Sequence, residues 1–375
     1  MNPDAGKCSF FVDRRNRFCR FSTWKDNQFC KEHLPSATRV PCPLNNRHTV
    51  DVDKLEAHLK ICRARQQYDS ESFDKNVNTD FNDDIVIETK PLISFGIDFI
   101  QIVINKLNKW YDDKYTPYAK SDFSLYESMK KHEAQQISLC RVLRESNLLA
   151  KECVIFEYGS GKAKLSWSIA ETMDLDVAKS STFCLIDRDS SRHKADVKIR
   201  GLSKNIHRKK MDIKDFSATN WLKSQNLQNK NIIFVGKHIC GAGMCLTIKS
   251  ISNLIKDGIN VETVLIAQCC HHRCNWEMFV GKEEFLAEGF EQNEFEVLKL
   301  LTSWKTCGAR KGKEENVNSY GLTASERSDI GFKAKYLLNY IRRIYLSKLG
   351  FSRIDLLEYV PESTSLENVA LFAVK

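Results

Sequence analysis

Cysteine and histidine residues near the amino terminus fall into two sets of four whose types and spacing suit metal binding. A structural zinc ion takes four ligands in a tetrahedron, and thiolates mixed with imidazoles are a usual set. We therefore predict two zinc modules. Their ligands are Cys8, Cys19, Cys30 and His33 in the first set, and Cys42, His48, His58 and Cys62 in the second.

The second set places two of its ligands on a predicted helix. His58 and Cys62 lie in the strongly helical stretch 53–62, so their side chains leave the same face one turn apart. Cys42 and His48 are expected on the loop before this helix. So short a segment, with so few apolar residues, normally needs a metal ion to hold its fold. Aromatic residues around the first set would pack near the metal or offer a stacking surface to bases.

Two other interpretations of these residues remain open. In one, these residues are free thiols and surface histidines scattered by chance. In the other, they form a disulfide framework, which suits a secreted protein. The first residues contain no basic segment followed by an apolar run, and no segment approaches about eighteen uninterrupted apolar residues. We therefore expect a soluble intracellular protein, in the nucleus and/or cytoplasm, whose 14 cysteines are reduced or bound to metal.

Charge and length indicate how the chain is organised. Its 57 basic residues outnumber 48 acidic ones, and the net charge of +9 suits a polyanionic partner without proving one. Arginines cluster around the two cysteine-rich sets, whereas the stretch that follows is acidic and poor in aliphatic residues. The predicted organisation is one finger at 1–35, a second at 39–65, a flexible acidic linker at 66–90 and a catalytic domain at 91–375.

A strand, a glycine turn and a helix are predicted near the middle of the chain. The apolar run at 153–157 leads into Gly159 and Gly161, and a helical pattern follows. Glycines let the backbone approach a ligand, and a helix N-terminus offers amide groups to a polar cofactor. Asp187 ends a second apolar run 26 residues after Gly161, where an acid can hydrogen-bond a ribose diol.

The remaining pattern predicts an α/β fold. A helical lead-in at 91–150 precedes a catalytic core at 151–375, in which helical stretches separate most of the strands, as in a doubly wound sheet. The turn reads Glu-x-Gly-x-Gly, and the last two strands form a tight terminal pair. Both details favour a Rossmann-like S-adenosylmethionine-dependent methyltransferase over a nicotinamide enzyme. The predicted strands are 153–157, 183–187, 231–236, 263–267, 352–356 and 369–374.

Taken together, the motifs resemble those of the eukaryotic tRNA 2′-O-methyltransferases that act on the fourth nucleotide of the acceptor stem. That family combines a CCCH-type finger, a CHHC finger and a methyltransferase domain, and the likeness covers nearly the whole chain. The residues from Ala242 to Cys245 depart from the pattern expected after the Cys-Gly pair. Besides the two ligand sets, the motifs are Glu157–Gly161, Lys237–Gly241, Gln268–Cys274 and Ser328–Lys335.

Lys237 and His238 are the predicted catalytic residues. They follow a predicted strand directly, and a parallel sheet places its chemistry at the carboxyl edge. A ribose hydroxyl is a poor nucleophile until its proton is removed or its oxygen polarised. His238 would accept that proton near neutral pH, whereas Lys237 would need a lowered pKa or would stabilise the alkoxide as a cation. Alternatively, Lys237 pairs with an acid and His238 packs on a helix.

The run from Cys269 to Cys274 holds four potential metal ligands in six residues. A third zinc site is disfavoured, because adjacent ligands on one turn rarely close a tetrahedron and the distant partners Cys240 and Cys245 are not obviously placed. We expect the thiols to pack as small apolar groups. The predicted substrate-binding residues are His271, His272 and Arg273.

The resemblance implies a tRNA 2′-O-ribose methyltransferase that uses S-adenosylmethionine and two structural zinc ions. Its partner would be the tRNA acceptor stem, with no membrane and no obligate protein partner inferred. One rival is an RNA-binding scaffold with an inactive methyltransferase fold. Another is a methyltransferase with a protein or small-molecule acceptor. The predicted cofactor-binding residues are Glu157, Gly159, Gly161, Asp187 and Asp212.

Overall fold

The chain divides into two units, residues 1–66 and residues 67–375. A computed structural model provides the coordinates. It describes residues 6–12, 17–23, 27–30, 33–34, 39–62, 71–81, 90–124, 126, 129–189, 195–307 and 320–375.

The first unit contains two antiparallel strand pairs and a short helix. In the second pair, the guanidinium of Arg39 donates to the Asp51 carboxylate at 2.8 Å, which ties the two ends of the hairpin together. Cys42 and His48 therefore lie on a hairpin and not on the predicted loop. The elements are β1 (Phe11–Val12), β2 (Arg17–Phe18), β3 (Arg39–Cys42), β4 (Asn45–Asp51) and α1 (Leu55–Ile61).

The second unit is organised around one sheet with the order β5-β11-β12-β10-β9-β6-β7-β8 in the described residues. All neighbouring strands run parallel except β12, which is antiparallel to both β10 and β11. This arrangement confirms the predicted methyltransferase fold with its terminal hairpin. The strands are β5 (Ala119–Lys120), β6 (Cys153–Tyr158), β7 (Thr182–Ile186), β8 (Ile206–Lys209), β9 (Asn231–Ile239), β10 (Thr263–Gln268), β11 (Arg353–Glu358) and β12 (Val369–Val374).

Helices cover both faces of this sheet, so its central strands are buried on two sides. Along β6, Ile155 packs in the hydrophobic cluster of one face and Phe156 in that of the other. The helices are α2 (Ile97–Lys114), α3 (Lys131–Glu145), α4 (Lys164–Thr172), α5 (Leu175–Ser180), α6 (Asp196–Arg200), α7 (Ala218–Ser224), α8 (Gly243–Lys256), α9 (Lys282–Ala287), α10 (Gln292–Leu301), α11 (Trp304–Cys307) and α12 (Ala324–Lys348). Within the described residues, no helix combines the length and apolar character that crossing a bilayer requires.

Residues 71–81 differ from the predicted flexible linker, because they pack against the catalytic unit. The side-chain amide of Asn78 donates to the carbonyls of Ile213 and Phe216, at 2.6 and 2.8 Å. The Asp215 carboxylate accepts from the amide of Asn76 at 2.9 Å. This acidic, asparagine-rich stretch has Val77 as its one aliphatic residue, yet its polar groups satisfy the backbone of a turn. The flanking residues 63–70 and 82–89 lie outside the described part of the chain.

The strand β9 is longer than predicted. Its pairing with β10 places Lys237 opposite Ala267 and Ile239 opposite Gln268, with a register shift at His238, so Lys237 and His238 lie within the strand and not beyond it. Because the sheet extends to the motif itself, both side chains start from a fixed backbone.

Candidate active site and zinc centres

The first ligand set converges on one point. One ligand atom from each of Cys8, Cys19, Cys30 and His33 lies within 4.8 Å of the others, and the three thiols are buried. His33 Nδ1 lies 3.5 Å from the Cys8 Sγ and 3.4 Å from the Cys30 Sγ, while its ring stacks on Phe10 with centroids 3.9 Å apart. Four convergent ligands of these types fit a structural zinc ion.

The second set converges in the same way for its described side chains. Cys42 and Cys62 place their Sγ atoms 3.8 Å apart, and His58 Nε2 lies 3.2 Å from the Cys42 Sγ. The helix α1 carries His58 as predicted, whereas Cys62 follows its last residue and is not part of the helix. The side chain of His48 lies outside the described residues. The three described ligands fit a zinc ion with one further position to fill.

In the catalytic unit, the glycine turn joins β6 to α4. Gly159 and Gly161 have φ values of +65° and +46°, a region that a side chain with a Cβ atom disfavours. The amide of Gly161 donates to Asp187 Oδ2 at 2.6 Å, and the amide of Asp189 donates to Asp187 Oδ1 at 2.7 Å. The acid at the end of β7 therefore holds the turn in place.

A cavity of about 510 Å³ opens at the carboxyl edge of the sheet. Gly159, Asp187, Asp212 and His238 are among its lining residues. Each carboxylate oxygen has two acceptor positions, so both acids retain capacity to accept from ribose hydroxyls or an amino group. The volume lies in the range of sites for nucleoside-sized ligands. These residues fit S-adenosylmethionine.

Glu157 occupies a different position from Gly159, Asp187 and Asp212, which line the cavity. Its carboxylate is buried and accepts from the amide of Ser166 at 3.1 Å and from the Ser166 hydroxyl, so it fixes the start of α4. Burial raises the pKa of Glu157 to about 7. Neither Glu157 nor Gly161 is among the described residues that line the cavity; Glu157 supports the start of α4, and Gly161 donates to the cavity-lining Asp187.

The Lys237 ammonium is held against α3. Its Nζ lies 3.4 Å from both the His132 carbonyl and the Gln135 Oε1. Burial lowers the pKa of Lys237 to about 8, although the nearby charge of Glu157 opposes this shift. A lysine with such a pKa is partly neutral near physiological pH and able to accept a proton. Nothing in the sequence pattern pointed to His132 or Gln135, because they lie 105 and 102 residues before Lys237 in the chain.

His238 has an unusual backbone and a suppressed charge. Its φ value is +65°, which is uncommon for a residue other than glycine, and its side chain lines the cavity. Burial lowers the pKa of His238 to about 4, and the charge of Lys237 acts in the same direction. The imidazole is therefore neutral at pH 7 and a weak base there. Of the two predicted helpers, Lys237 is the stronger proton acceptor.

The loop after β10 separates its predicted substrate-binding residues. His271 is buried, and its Nε2 lies 2.8 Å from Asn339 Oδ1 and 3.0 Å from Gln268 Oε1. This inward position does not allow substrate contact, so the prediction for His271 requires correction. His272 is half-buried and Arg273 is exposed, which leaves these two available.

A groove of about 1070 Å³ runs between α3 and α4. It includes His132, whose carbonyl contacts Lys237, so the groove borders the predicted catalytic residues. Five Lys or Arg side chains line it against three glutamates, and Trp167 contributes an aromatic surface. Sequence reasoning missed this surface because its residues are spread over two helices. The basic residues are Lys130, Lys131, Arg141, Arg144 and Lys164.

Comparison with protein families gives three matches along the chain. Residues 134–374 match the family described as Methyltransferase TRM13. Residues 39–63 match a U11-48K-like CHHC zinc finger, and residues 6–34 match a CCCH zinc finger in TRM13 protein. The two finger matches coincide with the two ligand sets and confirm the predicted zinc modules.

Curated relatives extend the likeness over nearly the whole chain. A tRNA:m(4)X modification enzyme TRM13 of Debaryomyces hansenii is 31% identical over 97% of this chain and 91% of its own length. The homologue of Mus musculus is 28% identical over 99% of this chain and 95% of its own. Among solved structures, a magnesium protoporphyrin IX methyltransferase from Synechocystis covers 75% of this chain and 99% of its own, at 12% identity and a TM-score of 0.32.

Proposed function

The chain belongs to the TRM13 methyltransferase family, and from this premise we propose that it transfers a methyl group from S-adenosylmethionine to a tRNA. The acceptor in this proposal is the 2′-hydroxyl of the fourth nucleotide of the acceptor stem. The name of the relatives supports a tRNA modification designated m(4)X, and the site residues support the ribose hydroxyl as its target.

The position and pKa of Lys237 are the observation that carries this proposal. A ribose hydroxyl needs a proton acceptor, whereas many base nitrogens carry a lone pair and do not. Lys237 stands at the carboxyl edge of β9 with its pKa lowered to about 8 by burial. In its neutral form, its Nζ accepts the proton of the 2′-hydroxyl as the oxygen attacks.

The other residues of the site hold the reactants. S-adenosylmethionine supplies an electrophilic methyl group when bound. Gly159 gives a backbone surface that the cofactor can approach closely. The carboxylates of Asp187 and Asp212 accept hydrogen bonds from the hydroxyl or amino groups of the cofactor. Neutral His238 shapes the cavity wall without adding a positive charge beside a sulfonium. Acceleration then comes mainly from holding donor and acceptor in register.

The groove between α3 and α4 supports an RNA acceptor. Its excess of cationic side chains suits phosphate contacts, which position a nucleic acid without reading its sequence. Because the groove borders Lys237 through His132, an RNA strand lying in it would pass the predicted catalytic edge. Recognition of an RNA duplex by shape and phosphates needs few base contacts.

The decisive experiment uses two synthetic tRNAs that differ in one atom. One carries a ribose at nucleotide 4 and the other a 2′-deoxyribose, and each is incubated with the full chain and S-adenosylmethionine labelled in its methyl group. We expect label at nucleotide 4 of the first tRNA and none at that nucleotide of the second. Equal labelling at nucleotide 4 of both would contradict 2′-O transfer and indicate base methylation.

Variants identify the residue that helps the reaction. We expect Lys237→Ala to lower the rate of methyl transfer about 10²- to 10⁴-fold, the usual contribution of a general base. Lys256→Ala, at the exposed end of α8, is the matched control and should leave the rate unchanged. No transfer by the unaltered chain, despite binding of tRNA and cofactor, would favour the scaffold alternative.

A further inference from the structure

Three thiols meet at the carboxyl ends of two neighbouring strands. Cys240 follows the last residue of β9, while Cys269 and Cys270 follow the last residue of β10. Since β9 and β10 are paired in parallel, with Gln268 opposite Ile239, the residues after them emerge side by side. The Cys240 Sγ lies 3.3 Å from the Cys269 Sγ and 3.5 Å from the Cys270 Sγ.

These separations are slightly shorter than the sulfur–sulfur distance in the second finger. There the Cys42 and Cys62 Sγ atoms lie 3.8 Å apart, which is about the separation of two sulfurs bound to one tetrahedral zinc when each Zn–S bond is about 2.3 Å. In both fingers the histidine nitrogens lie 3.2 to 3.5 Å from the thiol sulfurs. The Sγ atoms of Cys240, Cys269 and Cys270 all lie within 4.8 Å of one another. By its geometry, this cluster resembles a metal-ligand set more than a group of packed apolar side chains.

The backbone of Cys270 removes the objection raised by the adjacency of Cys269 and Cys270. Consecutive residues in regular structure point their side chains apart, which prevents both from binding one ion. Cys270 instead has φ +45° and ψ +42°, a left-handed conformation that residues with a Cβ atom rarely adopt. This turn brings its thiol to the same point as that of Cys269. Left-handed residues of this kind concentrate at functional sites.

A second pair of thiols in the same unit has a different environment, with a buried cation beside it. The Cys245 and Cys274 Sγ atoms lie 3.7 Å apart, and the buried Arg342 guanidinium lies 3.7 Å from each. A fixed cation at this distance would repel a metal ion, and no third described Cys, His or carboxylate completes that pair. Among the described residues, no Lys or Arg side chain forms a hydrogen bond with Cys240, Cys269 or Cys270.

We propose that Cys240, Cys269 and Cys270 bind a zinc ion whose fourth coordination position opens towards the cofactor cavity. Cys240 is exposed and lines that cavity together with His238. No fourth Cys, His or carboxylate of the described residues joins the three thiols. Three protein ligands with one open position are typical of sites that exchange water or a bound oxygen ligand, whereas structural sites are closed. The assignment does not depend on the identity of the methyl acceptor.

Metal analysis of the full chain tests this site. The protein is purified under reducing conditions with zinc supplied, and zinc is measured per chain by inductively coupled plasma mass spectrometry. With one ion in each finger, we expect a third equivalent in the unaltered chain. Cys240→Ser should lose one equivalent. Because Cys240 is exposed, the serine should be accommodated and the circular dichroism spectrum unchanged, while the thermal unfolding temperature falls with the loss of the bound ion.

Cys140→Ser is the matched control, since Cys140 is a buried thiol on α3 outside the cluster. It should retain all the zinc. Cobalt substitution gives a second measurement. Absorption from thiolate-to-cobalt charge transfer should fall by the contribution of one site in Cys240→Ser and in Cys270→Ser, and not in Cys140→Ser.

Two results would overturn the proposal. One is the same two equivalents of zinc in the unaltered chain and in Cys240→Ser, which would leave only the fingers loaded. The other is an intact mass lower by two hydrogens, mapped to Cys240 and Cys269, which would identify a disulfide in place of a metal ion.

Discussion

The two units of the chain obtain their folds by different physical means. Among the described residues of the first unit, the buried side chains are chiefly the metal-binding cysteines, accompanied by Val50. In the second unit, two extensive apolar clusters sandwich the sheet, and Phe156 stacks on Phe234 with ring centroids 4.8 Å apart. The first unit therefore depends on ligand chemistry, whereas the second depends on burial of apolar surface.

The two units therefore also differ in how many of their residues specify the fold. In a metal-stabilised segment, a few positions specify the fold and the other residues are free to carry charge, as the arginines around both fingers do. In the sheet, nearly every residue of a strand contributes, and all six residues of β6 are buried. A substitution at a position that does not bind metal should therefore affect stability less in the first unit than a substitution within a strand of the second unit.

Removal of zinc should produce the largest difference in stability between the two units. Structural zinc contributes about 10–16 kcal/mol to the folding of isolated fingers, so we expect the first unit to unfold when a chelator removes its metal. Hydrogen exchange of the full chain should show loss of protection at 39–62 and unchanged protection along β6 and β7. Loss of protection in these strands, or retention at 39–62, would show that zinc does not stabilise the first unit selectively.

Truncation of one apolar side chain in each unit should have unequal effects. Phe234→Ala leaves a cavity in a closely packed cluster and should lower the free energy of unfolding of the second unit by about 3–5 kcal/mol. Leu59→Ala removes a half-buried side chain beside the second finger and should cost about 1 kcal/mol. Urea titration followed by tryptophan fluorescence measures the first, and hydrogen exchange at 39–62 measures the second. Equal costs would mean that burial supports both units alike.

The pH dependence of methyl transfer should reflect the second unit alone, because that unit holds Lys237. Its pKa is lowered to about 8, and only the neutral amine accepts a proton, so the rate should rise about fifty-fold from pH 6 to pH 8 and then level off. His238→Ala should keep this slope, since the pKa of His238 is about 4 and its charge state does not change in this range. A slope that survives in the residual activity of Lys237→Ala would assign the titration to another group.

The smallest expected effect concerns the segment at 71–81, which the catalytic unit holds by polar contacts. Asn78→Ala removes two hydrogen bonds to the turn at 213–216, part of which lines the cofactor cavity. Because a typical hydrogen bond contributes about 1 kcal/mol net, we expect about five-fold weaker binding of S-adenosylhomocysteine by calorimetry. Asn105→Ala, on an exposed face of α2, is the matched control. Unchanged affinity in both variants would show that this segment does not stabilise the cavity.

Much of the architecture could be predicted from local patterns. The apolar runs that became β6, β7, β9, β10, β11 and β12 are short and bounded by polar residues, and their order implied the sheet. The short strand β8 was missed because Ile206–Lys209 contains a single aliphatic residue and is strand only through its pairing with β7. The linker at 71–81 was misassigned because its polar contacts leave no hydrophobic periodicity.

The site was predicted in part for the same reason. Gly159 and Asp187 follow their strands immediately, so position along the chain was sufficient to place them at the cavity. The positions of Glu157 and His271 could not be predicted in this way, because their side chains have suitable chemistry but are buried in the interior. No pattern in one segment could indicate that residues of α3 would contact Lys237, because this pairing depends on tertiary packing.

The position of β12 in the sheet has a consequence for synthesis of the protein. Val369–Val374 is translated after every strand around it, yet it forms the bridge between β10 and β11. Until these residues leave the ribosome, β10 and β11 each present an unpaired edge whose hydrogen-bonding groups can recruit another chain. The catalytic sheet therefore closes late in biogenesis, and a ribosome stalled before residue 369 would hold an aggregation-prone intermediate.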